Sequence, residues 1–228
     1  MRIISGKFKG RRIFPPKNLP VRPTTDMSKE ALFNVLNNHF SFDSLKVLDL
    51  FSGTGNISYE FASRGSENIT SVDGDFGCVK FIKQIAEEYD FNIAAIKSDV
   101  FKFLEKNTNS YDIIFCNHVL EHIPDDTKAM QELFRVLKPG GRLLILEFSK
   151  PGNPLLGKIY DTYSFNVLPK LGKAFAGDAD SYQYLAESIR MHPDQGTLLQ
   201  MLDDAGFANT DFHNMTGGVV ALHRGVKP

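Results

Sequence analysis

Cysteine is scarce in this chain. Two residues of 228, Cys78 and Cys116, are all it holds, without a CxxC pair or a histidine at ligand spacing, so neither a disulfide framework nor a zinc site is indicated. Long apolar runs are missing as well: no 18 consecutive apolar residues occur, and the opening MRIISGKFKG lacks the apolar stretch of a signal peptide. A soluble, cytoplasmic protein is expected, meeting a membrane at most peripherally. There is no Ser-His-Asp or Cys-His nucleophile pattern and no cluster of metal ligands, which leaves hydrolase and metalloenzyme readings unsupported. Net charge is nearly absent, 26 basic against 27 acidic side chains, so no global field draws the protein to nucleic acid or anionic lipid. Acid is missing locally too. Residues 1–25 carry seven cations (Arg2, Lys7, Lys9, Arg11, Arg12, Lys17 and Arg22) and no Asp or Glu, which makes either a basic arm able to meet RNA weakly or an ordinary solvated loop.

What is present is pattern. With 42% hydrophobic residues, the length supports one well-buried core. Asp26 is placed to cap a helix that carries Leu32, Val35, Leu36 and Phe40 on one face and ends near Phe40. Short β-branched runs follow at residues 46–50, 69–72, 92–96, 112–115 and 142–147, with helical patterns between them such as Cys78, Ile82, Ile85, Ala86 and Tyr89. Strict alternation of strand and helix implies right-handed crossovers and a mostly parallel sheet with helices on both faces. Residues 149–192 break the rhythm with prolines and aromatics. They read as an insertion capping the sheet's carboxyl edge, where open α/β sheets bind ligands. Two last runs, 209–214 and 218–224, have no helix between them, and Thr216-Gly217-Gly218 suits a hairpin turn that completes a seven-stranded sheet. The expected division is a basic arm over 1–25 and a single domain over 26–228.

The first strand runs into Asp49-Leu50-Phe51-Ser52-Gly53-Thr54-Gly55-Asn56 and then a helix. Glycines in such a turn let backbone approach a ligand, because they lack Cβ and tolerate positive φ; they also serve tight turns for steric reasons alone. Asp73 ends the second strand 18 residues after Gly55, near the spacing at which an acid binds ribose hydroxyls in this topology. A solvated strand-end acid is the plainer alternative. Ser98-Asp99-Val100 ends the third strand, where Asp99 either receives the amino group of an adenine or caps the next helix, and the two roles are compatible. A dinucleotide fingerprint would continue to a glycine at position 58, where this chain has Ser58, so a nicotinamide dehydrogenase is disfavoured.

This constellation resembles the site of class I S-adenosylmethionine-dependent methyltransferases, whose fold is Rossmann-like with a C-terminal antiparallel hairpin. The resemblance implies S-adenosylmethionine as cofactor, with Asp49, Phe51, Gly53, Thr54 and Gly55 around its methionine end, Asp73 on the ribose, Asp99 and Val100 at the adenine, and Asn117 among the contacts. Two families within that class are resembled. Residues 1 to about 116 resemble bacterial small-subunit ribosomal RNA guanine-N2 methyltransferases, through Ile4-Ser5-Gly6-Lys7-Phe8-Lys9-Gly10-Arg11, Arg22-Pro23-Thr24-Thr25-Asp26, Lys29-Glu30-Ala31-Leu32-Phe33-Asn34 and the glycine turn. Where that family has an Asp-Pro-Pro-Tyr clamp for the exocyclic amine, this chain has Asn117-His118-Val119-Leu120. From about Arg135 onward it resembles the ubiquinone/menaquinone C-methyltransferase family, through Arg135-Val136-Leu137-Lys138-Pro139-Gly140-Gly141-Arg142, Leu146-Glu147-Phe148-Ser149-Lys150-Pro151, Tyr184-Leu185-Ala186-Glu187-Ser188-Ile189-Arg190-Met191-His192-Pro193 and Gly217-Gly218-Val219-Val220-Ala221-Leu222-His223-Arg224-Gly225. The two resemblances together imply a hybrid sequence, natural or engineered, whose parents share one fold.

Methyl transfer from a sulfonium asks the protein chiefly to position the nucleophile and strip water. Because the acceptor side keeps the quinone-type insertion and has lost the amine clamp, C-methylation of a quinol-type aromatic is the first expectation, at low activity. The expected catalytic residues are Asn117 and His118 after the fourth strand and Asp161, Tyr163 and Arg190 in the insertion. His118, with His122 and His192 as other candidates, would take a phenolic proton while the rest orient the oxygens; a structural role for each is the competing account. The alternatives are a ribosomal RNA guanine-N2 methyltransferase and a cofactor-binding hybrid without turnover.

Overall fold

The structure, a computed structural model, describes residues 1–19, 21, 24–37, 40–117, 126–149, 151 and 193–228. Helices α1 (Asp26–Asn37), α2 (Asn56–Ser63), α3 (Phe76–Tyr89), α4 (Val100–Lys106) and α5 (Asp126–Val136) alternate with strands β1 (Lys46–Leu50), β2 (Asn68–Asp73), β3 (Ile93–Lys97), β4 (Tyr111–Asn117) and β5 (Leu137–Phe148). Then come α6 (Gln195–Asp204), β6 (Ala208–Met215) and β7 (Val220–Val226). All seven strands join one sheet in the order β3-β2-β1-β4-β5-β7-β6. The first five run parallel, and β7 lies antiparallel to both β5 and β6, as the alternation and the terminal turn predict. Among the described residues no helix is long and apolar enough to cross a membrane.

Strand side chains alternate between faces, and here both faces are apolar. Val47, Ile113, Phe115, Leu144 and Leu146 join a cluster with α1, α2 and α3. Their neighbours Leu48, Leu50, Ile114, Cys116, Leu143 and Ile145 join a second cluster with α4, α5 and α6. The fifth strand starts earlier than its β-branched run suggests. Tyr111 faces Leu137 but Ile113 faces Arg142, so residues 138–141 bulge out of register where Pro139 lacks an N–H and Gly140 sits at φ 75.

The basic opening is part of the domain. Arg2 and Arg12 bridge antiparallel, and Ile3 and Ile13 are buried in the first apolar cluster. Glu60 accepts from Ile4 N at 2.7 Å, Ser63 O accepts from Lys7 N at 2.7 Å, and Ser63 Oγ accepts from Phe8 N at 3.1 Å. The Phe8 ring packs edge-on to Tyr89 and Phe91. Gly6 has φ 81, and a Cβ there would lie 1.8 Å from Ser63 O, so only glycine lets the hairpin seat against α2. The cap of α1 also differs from expectation: Thr25 Oγ1, not Asp26, accepts from Ser28 N at 3.2 Å, and Asp26 is already inside the first turn, where its charge suits the helix dipole. The helix itself ends at Asn37, with Phe40 N bonded to Leu36 O at 3.1 Å.

Candidate cofactor and acceptor site

The strand order reverses between β1 and β4, the place where an open α/β sheet leaves a crevice beyond its carboxyl ends. The glycine turn bounds that crevice. Phe51, Gly53 and Gly55 all have positive φ, at 54, 53 and 76 degrees, a run of backbone that non-glycine residues rarely adopt. A Cβ on Gly55 would stand 2.8 Å from the Tyr59 ring, so the helix can begin there only with glycine. Asp73 anchors the turn from the neighbouring strand: its Oδ2 accepts from Gly53 N at 2.8 Å and its Oδ1 from Asp75 N at 2.8 Å. Thr54 is buried, its hydroxyl 3.5 Å from Met1 Sδ.

Asp49 is sealed beneath this turn. Its Oδ2 accepts from Ser58 N at 3.2 Å and from Ser58 Oγ at 2.5 Å, and that hydroxyl also lies 2.7 Å from Ser71 Oγ. Serine at position 58 thus replaces a packing glycine with a donor that ties α2 to β1 and β2. Burial pushes the Asp49 carboxyl up from an ordinary 3.8 to about 7, against the two Ser58 bonds and with a small further push from the Asp73 charge. The folded state therefore holds a proton that the unfolded chain has released, and stability falls as pH rises from about 4 to 7, by up to about 1.4 kcal/mol per unit. Asp49→Asn keeps an acceptor for Ser58 and removes the ionisation, so its urea midpoint should fall less between pH 5 and 8 than that of the wild type. Parallel curves for the two proteins would place the titration elsewhere.

Beside the turn, a narrow apolar recess with room for about one water is lined by Leu50, Phe51, Val100, Phe101, Leu104, Cys116, Ala129 and Leu133. The expected adenine-side residue Val100 and the turn residue Phe51 meet here. Asp99 is exposed and caps α4 through Lys102 N at 3.0 Å, immediately before the lining residue Val100. An apolar recess next to a bare backbone turn and a strand-end carboxylate supplies the chemistry for a flat heterocycle, a ribose and a charged amino-acid end, although the recess itself is too narrow for the heterocycle without side-chain movement. Asn117, the last residue of β4, donates from Nδ2 to Thr24 Oγ1 at 3.1 Å, and its buried Oδ1 has no partner among the described residues. His118, His122, Asp161, Tyr163, Arg190, His192 and the body of the 149–192 insertion lie outside the described residues.

A polar core behind the turn was not foreseen. Lys29, Asn56 and Glu60 are buried. Lys29 Nζ donates to the Arg2 carbonyl, to Asn56 Oδ1 at 2.9 Å and to Glu60 Oε1 at 3.1 Å, while Arg64 closes the other Glu60 oxygen. Asn56 Nδ2 in turn donates to Thr24 O at 2.7 Å. The only signal in the sequence was the Lys29-Glu30-Ala31-Leu32 motif, which carries no mark of burial.

The ubiE/COQ5 methyltransferase family matches residues 29–227, a span that crosses both resemblances. The ubiquinone/menaquinone biosynthesis C-methyltransferase UbiE of Cellvibrio japonicus is 52% identical over 187 residues, 80% of this chain and 75% of that protein. The protein of the same name from Ectopseudomonas mendocina is 47% identical over 187 residues, 80% and 73% of the two chains. Among solved structures, the Escherichia coli protein yhhF superposes over 100% of this chain and 97% of its own with a TM-score of 0.64 at 21% identity. Magnesium protoporphyrin IX methyltransferase from Synechocystis, solved with bound SAH, covers 88% of this chain and 81% of its own with a TM-score of 0.56 at 20% identity.

Proposed function

The chain belongs to the ubiE/COQ5 methyltransferase family, and from that premise we propose that it transfers a methyl group from S-adenosylmethionine to a ring carbon of a quinol-type aromatic acceptor. The observation that carries the donor side is the turn of three positive-φ residues that Asp73 anchors at the carboxyl edge of the sheet. The bound sulfonium supplies an electrophilic methyl group whose carbon–sulfur bond breaks with the electron pair leaving on sulfur. Asp73 is the candidate for the ribose hydroxyls, the glycine turn and Asp49 border the amino-acid end, and Asp99 and Val100 flank the heterocycle. On the acceptor side, loss of a phenolic proton raises the electron density of the ring carbon, which bonds to the methyl group and then gives up its own proton. His118 is the proposed base, Asn117 Oδ1 a ready acceptor for a hydroxyl, and Asp161, Tyr163 and Arg190 in the capping stretch orient the ring oxygens.

The second reading keeps a specific observation: Lys7, Lys9, Arg11, Arg12 and Lys17 are all exposed on the opening segment. These cations offer phosphate contacts without base recognition, so any RNA complex should be weak and lose affinity steeply between about 50 and 200 mM salt. A tritium-transfer assay offering demethylmenaquinol and unmethylated small ribosomal subunits in parallel decides between the two. Label is expected in the quinol. Label in the RNA would restore the guanine-N2 reading, and cofactor binding with label in neither would identify a hybrid without turnover. Quinol lies in bilayers, so contact with a membrane surface belongs to the same proposal.

A further inference from the structure

A carboxamide has one donating and one accepting end, and what holds the first decides where the second is offered. Asn117 ends β4 at the crevice, with Nδ2 committed to Thr24 Oγ1 at 3.1 Å and a buried Oδ1 that no described residue satisfies. Thr24 is itself tied down. Its carbonyl accepts from Asn56 Nδ2 at 2.7 Å, and Asn56 Oδ1 accepts at 2.9 Å from Lys29 Nζ, a fully buried ammonium held further by Glu60. Asn56 is the residue that follows the glycine turn and opens α2. One continuous chain of hydrogen bonds thus joins the buried ion pair, the start of the helix after the cofactor turn, and the last residue of the fourth strand. Thr24 precedes residues 29–227, the span matched by the family, so this link comes from a part of the chain that the family match does not cover.

We infer that Thr24 is a positioning residue for methyl transfer: by holding Asn117 Nδ2 it fixes the amide so that Oδ1 is presented to a hydroxyl donor on the aromatic acceptor. The inference rests on the methyl-transfer reading above. Thr24→Val keeps the shape and removes the hydroxyl; Thr24→Ser keeps the hydroxyl. In a quinol assay on the full chain, Thr24→Val is expected to lower kcat about 10- to 100-fold, the scale of a small misplacement. KM for S-adenosylmethionine and Tm should hold, and Thr24→Ser should stay within about threefold of the wild type. Unchanged kcat in Thr24→Val overturns the inference, and so does equal loss in both variants with a lowered Tm, the mark of a structural role. A second readout does not depend on the acceptor. In protein labelled with ¹⁵N-asparagine, the Asn117 side-chain resonance, identified by its loss in Asn117→Asp, should move in Thr24→Val and stay in Thr24→Ser. A wild-type chain that turns over no quinol overturns the acceptor reading instead, and the Asn117 resonance then decides the Thr24 contact: a signal unmoved by Thr24→Val overturns it.

Discussion

Replacing Lys29 with Met is expected to cost about 1 to 3 kcal/mol of folding stability for each buried acceptor that it leaves without a donor. The methionine fills a similar volume, so the loss is electrostatic and not a cavity. Glu60, fully buried, keeps Arg64 and Ile4 N, but Asn56 Oδ1 and the Arg2 carbonyl lose their donor. Urea unfolding measures this directly, and in a chain of this size each kcal/mol corresponds to roughly 2 to 4 °C in Tm. Glu60→Gln keeps one acceptor oxygen for Ile4 N and Lys29 Nζ but turns an NH2 toward Arg64, so it should be destabilising as well. A loss below about 1 kcal/mol in the methionine variant would mean that the ammonium is solvated, since exposed pairs contribute on that smaller scale.

Asp73→Ala is the variant expected to damage cofactor binding most, by about 1.5 to 3 kcal/mol or roughly 10- to 150-fold in Kd, the worth of a charge-assisted hydrogen bond. Two losses combine. The ribose hydroxyls lose their proposed acceptor, and the N–H groups of Gly53 and Asp75 lose the carboxylate that now shapes the turn. Asp73→Asn retains one acceptor oxygen and should fall between wild type and alanine. Titration calorimetry with S-adenosylmethionine reads the series, and an unchanged affinity in the alanine variant would remove Asp73 from the site.

The sheet was legible because its strands obey local rules. The run at 46–50 coincides with β1, and the turn at Thr216-Gly217-Gly218 falls between β6 and β7. The crossovers follow from alternation alone. What escaped was polar. Periodicity treats Lys29, Asn56 and Glu60 as surface residues, since nothing in a one-dimensional pattern distinguishes an ammonium in water from one wrapped by a carbonyl, an amide and a carboxylate. The seating of the basic opening escaped for the same reason: its exposed cations mask Ile3 and Ile13, two apolar residues buried in the first cluster. At the site, glycine spacing and the strand-end acids were readable, yet the commitments of Asp49 to Ser58 and of Asp73 to Gly53 depend on contacts between strands.

The seating of that hairpin has a consequence for the order of assembly. Its hydrogen bonds to Glu60 and Ser63 span 55 to 58 residues, and the Phe8 ring waits for Tyr89 and Phe91. Closing a loop of that length costs only a little more than closing a shorter one, but such distant pairings form slowly. The opening hairpin should therefore dock late, only after α2 and α3 have brought its partners together.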